Sequence, residues 1–229
     1  MRISANVTSL LLLAGLAACG SDTMVACCQN GQASLRVVNA FTGPVDVLVD
    51  GSVAISNLAA GSIGTAAPSS GGHTLVLRPV GSGASASQSI TTAAGALGTF
   101  AAVRSSSGAV SSVALDDTGS IVPAGKTKVR VIHFAPNAGT LQVYRTQPDY
   151  QTPISWQFPF TYQAEPTSLS APFYQSTVGS WEVRIWQTPA DASGWANAPV
   201  KVTIPLASGE KKTVLILDQV GGGVRVELL

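Results

Sequence analysis

The feature that most constrains this chain is that it states one pattern twice. Leu35-Arg36-Val37-Val38-Asn39-Ala40-Phe41 returns 94 residues later as Val129-Arg130-Val131-Ile132-His133-Phe134-Ala135. Val45-Asp46-Val47-Leu48-Val49 is matched at an offset of 96 by Leu141-Gln142-Val143-Tyr144-Arg145. Further on, Gly95, Thr99 and Gly108 are matched at 114 by Gly209, Thr213 and Gly222. A unit of about a hundred residues is a common size for one β-sandwich domain. One fold is therefore expected twice, over residues 34–118 and 126–229. The joint is the polar, Gly/Pro-punctuated stretch Asp116-Asp117-Thr118-Gly119-Ser120 to Pro123-Ala124-Gly125.

Within each copy the signals are those of strands. Val45, Val47 and Val49 alternate with Asp46 and Asp50, the period of a half-buried strand. Asp50-Gly51 then separates that strand from Val53-Ala54-Ile55, a tight hairpin turn. Leu75/Leu77, Phe100/Ala102 and Val110 mark further strands bounded by Gly and Ser. No window carries a capped helical period. The expected fold class is all-β: two tandem immunoglobulin-like antiparallel β-sandwich domains after a lipoprotein signal peptide. The first core is expected from Leu35, Val37, Val47, Leu75, Leu77 and Phe100, the second from Val129, Val131, Val143, Val183, Ile185 and Val214.

Residues 1–18 divide as a secretory signal: Arg2, an apolar run from Leu10 to Leu16, then small residues. Leu16-Ala17-Ala18-Cys19-Gly20-Ser21 resembles a bacterial lipobox, which makes Cys19 the lipidated first residue of the mature chain. The alternative is an ordinary secretory signal cut after Ala18. The apolar run is far short of the roughly 20 residues that span a bilayer. Two or more acyl chains, each worth about 0.8 kcal/mol per buried methylene, anchor stably. The expected address is the bacterial cell envelope, with Gly20 rather than Asp behind the cysteine pointing to the outer membrane. Residues 19–33 read as a tether. Its Cys27 and Cys28 are read as intermolecular partners or free thiols, since two thiols are too few for a zinc site.

Without Arg2, 12 Lys and Arg face 12 Asp and Glu, so no global field favours nucleic acid. The chain has only two histidines, His73 and His133, and lacks G-x-S-x-G, H-E-x-x-H and a Gly-rich phosphate loop before a helix. Gly221-Gly222-Gly223 reads as a hairpin. His73 is expected to be a solvated turn residue. His133 stands where the first copy has Asn39, so that position asks for a polar side chain bonded to a neighbouring turn. Asp116-Asp117 raises the thought of Ca²⁺, which wants about six to eight oxygens; a solvated acidic linker is the preferred reading. Asp46 and Asp50 are assigned to a solvent face. No catalytic residue, metal or cofactor is assigned, and the chain is expected to be no enzyme. The alternative is an envelope hydrolase using a His–carboxylate pair.

Aromatic residues are unequally shared. All four Trp and all four Tyr fall in the second copy, which carries a 12-residue insertion within 147–179. There Ile154, Trp156, Phe158, Phe160 and Tyr162 alternate with smaller residues, and Pro159 confines such a strand to a sheet edge. The row either closes the second core or forms an exposed platform. In the second case the ligand contacts are Tyr150, Tyr162 and Trp195, and the chain is a carbohydrate- or protein-binding adhesin. The partner classes that suit it are the membrane through its N-terminal lipid, a cell-wall glycan or an envelope protein.

The stretches R-V-V-N-A, V-D-V-L-V-D-G and G-G-H-T-L-V-L-R-P (residues 36–40, 45–51 and 71–79) resemble domain-of-unknown-function family 4397. The resemblance covers residues 34–116 closely and 127–229 loosely, because the second copy lacks V-D-G and the R-P ending. It implies secreted or lipid-anchored tandem β-sandwiches. The family has no assigned activity, so the resemblance implies no functional residue.

Overall fold

The computed structural model describes residues 31–105, 107–117, 121–146, 173–186, 198–219 and 221–229, and the backbone of 154–160, 168–169 and 187. The leader, the lipobox and Cys19, Cys27 and Cys28 lie outside the described residues. The chain is all-β; among the described residues the one helical element is the 3₁₀ turn Pro136–Ala138.

The first half supplies β1 (Ser34–Asn39), β2 (Val45–Val49), β3 (Ser52–Leu58), β4 (Ile63–Ala66), β5 (Gly71–Pro79), β6 (Ala86–Thr92), β7 (Leu97–Arg104) and β8 (Val110–Leu115). The second supplies β9 (Lys126–Phe134), β10 (Leu141–Thr146), β11 (Ile154–Phe160), β12 (Ser168–Leu169), β13 (Tyr174–Thr177), β14 (Gly179–Gln187), β15 (Val200–Leu206), β16 (Lys211–Asp218) and β17 (Val224–Leu228). The sheets repeat the sequence pattern. Order β3-β2-β5-β6 is echoed by β11-β10-β14-β15, and β4-β1-β7-β8 by β13-β9-β16-β17. Even the irregularities recur: the register slips around Val47 in the β2–β3 pair and around Val143 in the β10–β11 pair. Strand β11 lies at a sheet edge, where Pro159 lacks a donor to give.

Local chemistry explains the hairpin of the first half. Asp50 and Gly51 both take positive φ, 52° and 79°, so Val49 and Ser52 close a two-residue turn whose twist suits the flanking strands.

Two expectations need correction. The inner sheets are mixed, not antiparallel: β1 runs parallel to β7, and β9 parallel to β16. A parallel pair needs a long crossover, and here the chain passes through the opposite sheet between the two partners. Gln32 and Ala33, expected in the tether, are part of the fold. Gln32 bridges Ser69, the Ala33 amide donates to the Pro68 carbonyl at 2.8 Å, and the Ala33 side chain is buried.

Each pair of sheets shares a core. Leu35, Val37, Val47, Leu75, Leu77 and Phe100 meet between the first two sheets, and Val129, Val131, Val143, Val183, Ile185 and Val214 between the other two, as their period requires. A third core was not expected. Val38, Ala101, Val103, Val113 and Leu115, on the other face of β1, β7 and β8, pack against Ile132, Phe134, Leu215 and Leu217 of β9 and β16. The central strands of the two inner sheets are thus buried on both faces, and Thr127 to Phe134 are buried without a break. Such strands read as continuous apolar runs, as V-L-I-L in β16 does. β12 reinforces this seam by pairing, parallel, with edge strand β8 of the first half.

Phe134 is fully buried in the seam. Phe134→Ala should cost about 3–5 kcal/mol, as for other large core truncations. Calorimetry of the unsubstituted chain should show one transition for both halves; two separated transitions would mean that the seam does not couple them.

Candidate functional site

His73 is held more tightly than a solvated turn residue. Its Nδ1–H donates to Asp50 Oδ2 at 2.7 Å, and its Nε2–H donates to the Ser69 carbonyl at 2.8 Å. Carboxylate and carbonyl oxygens only accept, so both ring nitrogens carry protons. The ring is an imidazolium, and the hydrogen bond to Asp50 followed by that to Ser69 raises its pKa. Asp50 also accepts the Thr74 amide at 2.9 Å, and these bonds lower its own pKa. Asp46, at the other end of β2, accepts from the Asn57 amide at 2.9 Å and pairs with Arg78 at 3.0 Å. Both carboxylates hold the first outer sheet together at its surface.

His133 does the work of Asn39. In the first half, Asn39 Oδ1 accepts the Phe41 amide at 3.0 Å, while its Nδ2 donates to the Gly43 and Leu58 carbonyls at 2.9 and 2.8 Å. In the second half, His133 Nδ1 accepts the Ala135 amide at 3.2 Å and Nε2–H donates to the Gly139 carbonyl at 2.7 Å. This fixes the neutral Nε2–H tautomer, and burial pushes its pKa down. The expected bond to a neighbouring turn is therefore present. Neither imidazole has a nitrogen left to take a proton from a nucleophile.

The acidic linker is not solvated as expected. Arg130, fully buried on β9, pairs with the Asp117 carboxylate, donates Nη1–H to the Asp116 carbonyl at 2.5 Å and Nε–H to Thr213 Oγ1 at 2.9 Å. Phe173 lies over the guanidinium, 4.4 Å from ring centroid to Cζ. Arg36, at the equivalent position of β1, reaches Thr99 Oγ1 from Nε and Nη2 at 3.4 and 3.3 Å. The opposite end of the seam forms a cavity of about 140 Å³ lined by Asn39, Phe41, Gly61, Asn137 and Asp218. Asp218 accepts from Asn137 Nδ2 at 2.8 Å, and burial raises its pKa. Gly61 has positive φ, and its carbonyl takes the Arg225 guanidinium so closely that a Cβ there would collide with it. Among the described residues, no group of three or more His, Cys, Asp or Glu side chains converges to hold a metal.

Tyr150, Tyr162 and Trp195 lie outside the described residues, as do the side chains of Ile154 to Phe160. The aromatic feature visible beside them is a stack of Tyr144 on Trp186, centroids 4.6 Å apart and planes 8° from parallel. Trp186 is 7% exposed although it alternates with Ile185 and Val183 of the inner core. Sequence alternation could have found this pair, because Gln142, Tyr144 and Trp186 fall on one face through the register Gln142↔Trp186.

Residues 33–144 match the family described as a domain of unknown function, DUF4397. The chain carries a DUF4397 domain. The matched stretch runs from the start of β1 across the linker to Tyr144 in β10, so it extends beyond the first pair of sheets. No curated protein matches the chain. One solved structure with partial likeness is described as a product complex of a multi-modular glycogen-degrading pneumococcal virulence factor, SpuA. It is 8% identical with a TM-score of 0.27, over 85% of this chain and 22% of that one. The chain thus spans under a quarter of that protein, and the likeness is too low to carry a fold or an activity.

In an NMR titration, Asp50→Asn should bring the His73 pKa down toward 6.5, its ordinary value. The sign follows from the charged pair. Stability from protonated His73 is present below its ordinary pKa and is lost as pH rises through the raised one. An unshifted His73 in the variant would mean that Asp50 does not hold it.

His133 carries the opposite sign. Its stabilising form is neutral, so its contribution is present above the ordinary histidine pKa and lost as pH falls through the depressed one. His133→Ala leaves a buried amide and carbonyl without partners and should cost about 1–3 kcal/mol in denaturant unfolding. His133→Asn, the residue the other half uses, should cost clearly less; equal losses would remove the equivalence.

Proposed function

We propose that this chain is a lipid-anchored bacterial cell-envelope protein with a non-enzymatic binding or scaffolding role. Its body is read as two immunoglobulin-like β-sandwiches in tandem, joined through the seam. The repeated sheet orders and the repeated register slip support the tandem reading. The anchor rests on L-A-A-C-G-S at 16–21, and the outer-membrane address on Gly20.

The observation that carries the non-enzymatic reading is the state of the two histidines. A His–carboxylate hydrolase needs one ring nitrogen free to accept the proton of its nucleophile. His73 does have a carboxylate at 2.7 Å, as such an enzyme would require, but its second nitrogen donates to the Ser69 carbonyl. His133 is neutral, yet its accepting nitrogen is filled by the Ala135 amide. Both rings serve as structural clamps. A body of four stacked sheets with apolar side chains packed between them is well suited to presenting a surface at a fixed distance from an anchor.

The test is detergent partition. The unsubstituted chain expressed in a bacterium should enter the detergent phase, while Cys19→Ser should stay aqueous in the envelope or remain unprocessed. Recovery of the unsubstituted chain in the aqueous phase would refute the anchor.

A further inference from the structure

The linker end of the seam collects cations around a small cavity. Arg36 and Arg130 converge there from β1 and β9, closely enough that each guanidinium's environment includes the same Asp117 carboxylate. Each nitrogen of Arg130 has a partner, in Thr213, the Asp116 carbonyl and Asp117. Arg36 is not. Its described partner is the Thr99 hydroxyl, at long distances, and among the described residues no carboxylate bonds to it. Burial disfavours the Arg36 charge, and Asp117, already bonded to Arg130, is the group that offsets it. Lys211 stands on the same side, with Nζ 5.9 Å from the Phe173 ring centroid and 3.3 Å from the Asp117 carbonyl. The cavity measures about 190 Å³ and is lined by Arg36, Lys211, Asp117, Phe173, Leu97, Thr213 and Leu229.

We propose that this cavity binds the oxyanion of a small phosphorylated or carboxylated molecule, held by the Arg36 guanidinium beside Lys211. A guanidinium presents a planar fork that matches two oxygens of a carboxylate or phosphate. The volume holds such a group together with part of the molecule that carries it. Asp117 stays with Arg130; it limits affinity by repelling the guest and keeps the empty cavity from being a bare cluster of cations. The site deepens the binding role proposed above but does not depend on the lipid anchor, whose test reads partition and not binding.

The experiment is isothermal titration of the full chain in a neutral detergent with inorganic phosphate and, separately, with acetate. Sodium chloride at the same ionic strength is the reference. Saturable binding at one site is expected for at least one of the two, and the stronger one names the ligand's acidic group. Arg36→Gln should weaken it by about tenfold or more, the scale of a lost charged hydrogen bond. Arg36→Lys, which keeps the charge and loses the fork, should fall between. Asp117→Asn should bind more tightly, and phosphate should restore its melting temperature where chloride does not. Phosphate and acetate both behaving like chloride, or Arg36→Gln titrating like the parent chain, would overturn the proposal.

Discussion

Sheet β4-β1-β7-β8 buries Leu35 and Val37 on one face and Val38 on the other, and its counterpart does the same with Val131 and Ile132. A strand in that position has no solvent side, so every alternate residue must be apolar or fully hydrogen-bonded. This double burial constrains the rest of the molecule. It fixes which sheets lie inside and which outside, and it prevents the two halves from moving as beads on a string. Its driving force is ordinary hydrophobic burial, at about 25 cal/mol per Å² of apolar area removed from water. Separating the halves would return Phe134, Leu215, Leu217, Val103 and Val113 to solvent together. The two halves therefore meet as packed faces.

Polar groups on those faces sit at the ends, where partners are available. Among the described residues Arg130 is the largest fully buried side chain that bears a charge, and an isolated buried charge would be prohibitive. Its carboxylate and carbonyl come from Asp117 and Asp116, immediately after β8, so the chain leaving the first half supplies what the first long strand of the second half needs. A buried pair of this kind adds little net stability, because desolvation consumes most of the Coulomb gain. It does penalise every arrangement in which β8 and β9 are not brought together. Hydrophobic contacts hold the seam, and the ion pair selects its alignment.

The sequence was most legible where period and repetition agreed. Val45, Val47 and Val49 gave the first outer strand, Asp50-Gly51 gave its turn, Pro159 placed β11 at an edge, and the Asn39/His133 exchange disclosed a shared polar clamp. The seam was harder to see. Leu35 and Val37 already account for one face of β1, and Val38 looks like a neighbour until the second face is known to be covered. The continuous apolar stretch in β16 was the available signal, since a strand exposed on one side has no use for it. The parallel pairings of β1 with β7 and β9 with β16 leave no local mark, because they depend on which strand the crossover returns to. The His73–Asp50 and Arg130–Asp117 pairs are contacts of tertiary structure, 23 and 13 residues apart, and no short motif encodes them.

The insertion in the second half takes on a different meaning once its described ends are placed. β12 leaves its own half to extend the sheet of the first, pairing Ser168 with Ala114 and Leu169 with Leu115. Phe173, at the far end, lies over Arg130 and beside Lys211. Both contacts fall on the seam, so the extra length acts in part as a strap across the two halves. An exposed edge strand invites pairing with other chains, and β12 covers the β8 edge over two residues while Pro159 blunts the β11 edge. The asymmetry between the copies therefore has a physical use that involves no ligand. One copy keeps short turns, and the other spends its insertion closing the joint between them. The same strap brings Phe173 to the wall of the Arg36 cavity, so the segment that secures the seam also shapes that recess.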